Sequence, residues 1–116
     1  MHEELIEWGK WARNNPDKLS YKSQWYEMIM RGNVPMPSKG YLMNDDRGLQ
    51  IDEAVTKLAR YSLLQYQIFC FYYLCGMSER TIADKMDKRI IPRNRRNRVK
   101  QELDKAGAFI AGCLTG

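Results

Sequence analysis

Eight of the nineteen lysines and arginines of this 116-residue chain fall between positions 85 and 100. They are Lys85, Lys88, Arg89, Arg93, Arg95, Arg96, Arg98 and Lys100, and the one acid among them is Asp87. Eight cations less one acid give this stretch a local +7, whereas the chain as a whole carries +5, so the remainder is near −2. A protein that concentrates its excess charge in one place is suited to a polyanion, and nucleic acid is the usual one. The residue types interleaved here, KRIIPRNRRNRVKQ over 88–101, agree. Arginine pairs with guanine edges, asparagine and glutamine pair with adenine edges, and lysine holds phosphates.

Helical geometry sorts these side chains onto faces. At about 100° per residue with Val99 at zero, Leu103, Ala106 and Ile110 fall within about 40° of Val99. That is a narrow apolar stripe, and it predicts a helix from about Pro92 to Leu114 docked on a core. On the far side lie Arg93, Asn94, Asn97 and Gln101, flanked by Arg98 and Lys100. A helix N-terminus already carries roughly half a positive charge, so each of Arg93, Arg95 and Arg96 in the first turn costs about 0.3–1 kcal/mol unless an anion sits there. A phosphate held by the free amides and the dipole makes the same arginines favourable. The expected DNA-contacting set is therefore Arg89, Arg93, Asn94, Arg95, Arg96, Asn97, Arg98, Lys100 and Gln101. The plain alternative is a frayed, solvated basic segment whose helix starts near Asn97; RNA or an acidic protein would be the other polyanions.

Other chemistries find less support. Cys70, Cys75 and Cys113 lie among apolar residues without CxxC spacing, and the single histidine is His2, so a zinc site is not expected. The odd cysteine count and the missing signal peptide point to a reducing cytoplasm, with the thiols as small core residues. No catalytic constellation stands out, and neither a metal nor a cofactor is expected. Asp45 and Asp46 followed by Asp52 could hold a magnesium ion, but with Glu53 they read first as loop and helix-start residues. The most apolar run, SLLQYQIFCFYYLCGM, is too short to cross a bilayer and contains two glutamines, so it reads as a buried helix.

The elements that must position the basic segment follow from periodicity and caps. Residues 3–13 place Leu5, Trp8, Trp11 and Ala12 on one helical face, with acids early and cations late, ended by Asn14, Asn15 and Pro16. Trp8 and Trp11 are candidates for a partner surface as aromatic anchors, although their spacing reads first as core. A second helix is expected over about 20–31, with Ser20 as N-cap, Trp25, Met28 and Ile29 inward and Gly32 as its stop. A Pro/Gly-rich loop follows over 32–48 and is the candidate for a segment that orders on a partner. Ile51, Val55, Leu58 and Ala59 mark a helix over about 49–61, and Ser62 with Gln65 reads as a capping-box start for a helix over 63–75 stopped by Gly76. Ser78 caps a short helix with Ile82, Ala83 and Met86 inward, and the interruption DKRIIP separates it from the basic helix, in helix-turn-helix order. The fold class expected is all-α: one compact helical domain over 1–116, with N-terminal helices and the long loop in 1–62 and a helix-turn-helix DNA-binding region with an extended turn in 63–114.

YYLCGMSERTIADKM followed by RVKQELDKAGAFIAGCL resembles the region-four helix-turn-helix of bacterial sigma factors, and more closely the late-gene antitermination protein Q family of lambdoid phages. WGKWARNN at 8–15 looks like the tryptophan-rich opening of that family, so the resemblance covers both ends of the chain. It departs from the family in carrying about six extra residues near DKRIIPRN, so the second helix could be longer, kinked at Pro92, or preceded by a basic wing. The resemblance implies binding to a DNA element at a phage late promoter. It further implies loading onto host RNA polymerase paused with its sigma factor, and travel with the enzyme as a subunit. One branch of the family narrows the RNA exit channel so that terminator hairpins cannot form. DNA contact carries over to Arg89 through Gln101. The partners implied are double-stranded DNA and host RNA polymerase with sigma factor in the bacterial cytoplasm; a homodimer on DNA stays open, and no membrane is expected. The competing classes are a conventional helix-turn-helix repressor or activator, which leaves termination untouched, and an enzyme such as a nuclease acting on phage DNA.

Overall fold

The computed structural model describes residues 2–15, 40–85 and 95–115, and within them every element is helical. Helix α1 is His2–Asn14, α2 is Asp45–Tyr61, α3 is Leu63–Phe69, α4 is Glu79–Lys85 and α5 is Arg95–Thr115. Helix α3 runs on into a π-helical turn, Cys70–Leu74. The all-α class read from the sequence is the fold observed. The helix expected over 20–31 and most of the Pro/Gly-rich segment lie outside the described residues.

Local chemistry accounts for most of the boundaries. Glu3 and Glu4 sit in the first turn of α1 and Arg13 in its last, as the dipole prefers. At its end the side-chain Nδ2 groups of Asn14 and Asn15 donate back to the carbonyls of Lys10 and Trp11, both at 2.8 Å, and satisfy two of the last acceptors. The Ser78 hydroxyl accepts from the Thr81 amide at 3.2 Å and caps α4. Ser62 accepts from the Gln65 amide at 3.2 Å and caps α3. The capping box expected there is only half made. The Ser62 amide donates to the Leu58 carbonyl at 2.8 Å, because the same residue closes α2, so Gln65 cannot complete the reciprocal bond.

Helix α2 corrects the expected loop, which was to run through Gly48. The helix begins four residues earlier than the expected start at 49: the Asn44 side chain accepts from the Arg47 amide at 2.8 Å, and Asp45 and Asp46 occupy the first turn. Gly48 lies inside the helix because nothing larger fits. A Cβ there would stand 2.5 Å from Cδ2 and 2.7 Å from Cζ2 of the Trp11 indole, which is itself fully buried.

The core draws on all five helices and the π turn. Leu5, Trp8, Trp11 and Ala12 of α1 are buried with Ile51, Val55, Leu58 and Ala59 of α2, Tyr66, Ile68 and Phe69 of α3, Leu74 of the π turn and Ile82 of α4. Val99, Leu103, Ala106 and Ile110 complete the cluster from α5. Helix α5 packs on α2, α3 and α4, while α1 packs on α2 and the π turn. Gly76, at φ +71°, ends the α3–π segment in the left-handed region.

Candidate nucleic-acid interface

Helix α5 shows the two faces expected of it. Val99, Ala106 and Ile110 are fully buried and Leu103 is nearly so. Arg96, Asn97, Arg98, Lys100 and Gln101 are all exposed on the turns around that stripe. The buried stripe therefore fixes the rotation of the helix and presents a cationic, amide-bearing face to solvent. Arg95 opens the helix; its side chain, together with Arg89, Arg93, Asn94 and the extended turn 87–94, lies outside the description. The first turn of α5 contains no acid, so the dipole's positive end meets arginines and no counter-charge of its own. Arg80 and Lys85 on the neighbouring α4 are exposed as well.

One residue of this face escaped the sequence reading. Glu102 is only 3% exposed, yet its carboxylate Oε1 lies 3.0 Å from Arg98 Nε and 3.7 Å from Lys105 Nζ. Its spacing, four after one cation and three before another, was visible in the sequence. At about −60° from Val99 it sits between the apolar stripe and Arg98, the border position where a carboxylate is covered by the core yet reaches the exposed cations.

The remaining candidates behave as structural groups. Trp8 and Trp11 are 2% and 0% exposed, so neither ring is offered to a partner; the Trp11 indole N–H donates to Asp45 Oδ1 at 2.9 Å and ties α1 to the start of α2. Burial pushes the Cys75 thiol up to about 11 and Cys70 higher still, which keeps both protonated at neutral pH and unsuited to nucleophilic work. Among the described residues no group of three or more histidine, cysteine, aspartate or glutamate side chains is placed to hold a metal ion. Among them, too, no helix is long and apolar enough to cross a membrane.

A family model described as phage antitermination protein Q matches residues 1–116. The chain belongs to the phage antitermination protein Q family. The match runs through 16–48, where the motifs at either end are silent. No curated protein and no solved structure matches the chain. Antitermination protein Q is a regulator of transcription in bacteriophage and not an enzyme family, and membership implies dealings with nucleic acid and with RNA polymerase. Among the described residues, α5 carries an exposed face of cationic and amide side chains.

Proposed function

We propose that this Q protein binds double-stranded DNA at a phage late promoter through α5 and its approach, Arg89–Gln101. From there it loads onto a sigma-bearing host RNA polymerase paused nearby in the bacterial cytoplasm, and it lets that polymerase read through terminators. Helices α4 and α5 with the intervening residues act as a helix-turn-helix of the sigma region-four kind with an extended turn, within one helical domain. The observation that carries the reading is the exposure of Arg96, Asn97, Arg98, Lys100 and Gln101 around a fully buried Val99–Ala106–Ile110 stripe. An α-helix so presented fits a major groove, with arginine and asparagine at base edges and lysine at phosphates.

The test is transcription in vitro with purified host polymerase on phage DNA flanking the gene, bearing a promoter-proximal pause and a distant intrinsic terminator. Read-through rises when the protein is added. If the protein binds the DNA and the terminator still works, it is a conventional regulator and the polymerase half of the proposal is wrong.

Within the DNA contact, two exposed neighbours have separable roles. Asn97→Ala lowers the ratio of affinities for cognate over scrambled duplex, by the about 1–3 kcal/mol that a base contact supplies. Arg96→Ala weakens both duplexes about equally and reduces the log-log salt slope by about 0.9. Competition binding with both duplexes across a salt series measures the two effects. An unchanged ratio for Asn97→Ala means that the reading face is placed wrongly.

A further inference from the structure

Helix α5 contains a charge that ought not to be there. A carboxylate on the edge of a DNA-facing surface repels phosphates, and burying one costs free energy unless partners are close. Glu102 is both: 3% exposed, and on the helix that carries Arg96, Arg98 and Lys100. Its nearer partner is Arg98, whose Nε lies 3.0 Å from Glu102 Oε1 while half of the Arg98 side chain remains exposed. A carboxylate at Nε occupies the side-on edge of the planar guanidinium and leaves the end-on fork, one N–H from each Nη, for a second anion. Lys105 Nζ, 3.7 Å from the same oxygen, adds a second positive charge beside the buried carboxylate.

We propose that Glu102 is a positioning residue for nucleic-acid binding: its buried carboxylate fixes the Arg98 guanidinium so that the Nη pair meets a planar bidentate acceptor on DNA, a phosphodiester or a guanine edge. The proposal rests on the assignment of α5 as the DNA face. A free arginine loses rotamer freedom when it binds, and holding it beforehand removes that cost. The repulsion that Glu102 exerts on phosphates is offset by that orientation.

The two roles of Glu102 have opposite signs, which makes the idea testable. Affinities of wild type, Glu102→Gln, Arg98→Ala and the double variant are measured on a duplex from the DNA flanking the gene and on a scrambled duplex, with melting temperatures alongside. Glu102→Gln removes a negative charge, and electrostatics alone would tighten binding. The expected result is a loss of about three- to tenfold when Arg98 is present and no loss when Arg98 is alanine, a coupling that a purely structural role would not produce. Equal loss on both duplexes assigns the Nη pair to a phosphate; loss confined to the flanking duplex assigns it to a base edge. If Glu102→Gln tightens binding or leaves it unchanged in both backgrounds, the carboxylate is only a repulsive charge and the proposal is overturned.

Arg98→Lys keeps the charge at an exposed position but lacks the fork and the Nε. It is expected to lose most of what Arg98→Ala loses. Wild-type affinity in Arg98→Lys would overturn the proposal even if the Glu102 variants failed to fold. A wild-type protein with no salt-dependent affinity for either duplex would bring down the α5 assignment and the proposal together, whereas salt-dependent binding insensitive to Glu102→Gln brings down only the positioning role.

Discussion

Alanine at position 9 lowers the stability of this protein by about 2–4 kcal/mol, and its melting temperature by about 10 °C or more. The side of α1 that carries Gly9 lies directly against the backbone of the π turn. A Cβ on Gly9 would fall on the Tyr73 carbonyl oxygen and 2.9 Å from its carbon, and backbone cannot swing aside as a side-chain tip can. The same turn is held by Arg13, whose Nη1 donates to the Tyr73 and Leu74 carbonyls at 3.3 Å and 3.0 Å. Moving α1 outward to admit the methyl stretches both of these charge-assisted bonds, so their loss adds to the overpacking. The gain in helix propensity from glycine to alanine, about 1 kcal/mol, works the other way and is smaller. Gly107 supplies the control: it is also helical, but nothing lies within 4 Å of its Cβ position, so Gly107→Ala keeps the propensity gain and stabilises by about 0.5–1 kcal/mol. Urea denaturation of the two variants should give opposite signs. Destabilisation of similar size in both would mean that the α1–π contact is not the cause.

The contrast between these glycines marks what the sequence could and could not show. Helix α1, the Val99–Ile110 stripe and the caps at Ser62 and Ser78 were legible because each is encoded within one or two helical turns, and the observed burial and hydrogen bonds follow that local pattern. Gly48 was misread. In sequence it is the last glycine of a Pro/Gly-rich run and looks like loop punctuation, whereas its reason for being there is the Trp11 ring 37 positions away. The π turn was invisible for a related cause. Nothing in CFYYL departs from an ordinary apolar helix, yet the Cys75 amide bonds to the Cys70 carbonyl, one residue wider than the α-helical pattern, and the Met77 amide bonds to Phe71, two residues wider, as in a Schellman closure. The Tyr73 and Leu74 carbonyls at the end of that turn accept from Arg13, and the Tyr73 carbonyl also lies against Gly9, contacts from α1 that periodicity cannot register. The exposed basic face of α5 could be read from composition and angle together, but Glu102 could not, because an i,i+4 Arg–Glu pair reads as surface decoration until the burial of the carboxylate is known.

Replacing Arg96, Arg98 and Lys100 by glutamine together should weaken DNA binding by about 10²-fold at 0.15 M salt. Each phosphate contact adds about 0.9 to the log-log salt slope, which amounts to about five- to sixfold in affinity between a 1 M reference and 0.15 M. Three such contacts multiply, and the slope itself should fall by about 2.7. The diagnostic feature is that stability does not fall in parallel. All three side chains are exposed, glutamine is a good helix former, and Arg96 stands in the first turn of α5, where removing a cation relieves about 0.3–1 kcal/mol of repulsion with the dipole. The Arg98–Glu102 ion pair is lost, but glutamine at position 98 can still donate to the buried carboxylate and Lys105 stays 3.7 Å from it, so the melting temperature falls by no more than a few degrees. A face selected for stability would not carry cations at the positive end of its own helix; one selected to meet an anion would. Filter binding across a salt series, calorimetry and terminator read-through on the same variant separate these cases. Lost affinity and lost read-through with an unchanged melting temperature support loading through α5, whereas undiminished read-through would place the nucleic-acid contact of this Q protein elsewhere on the chain.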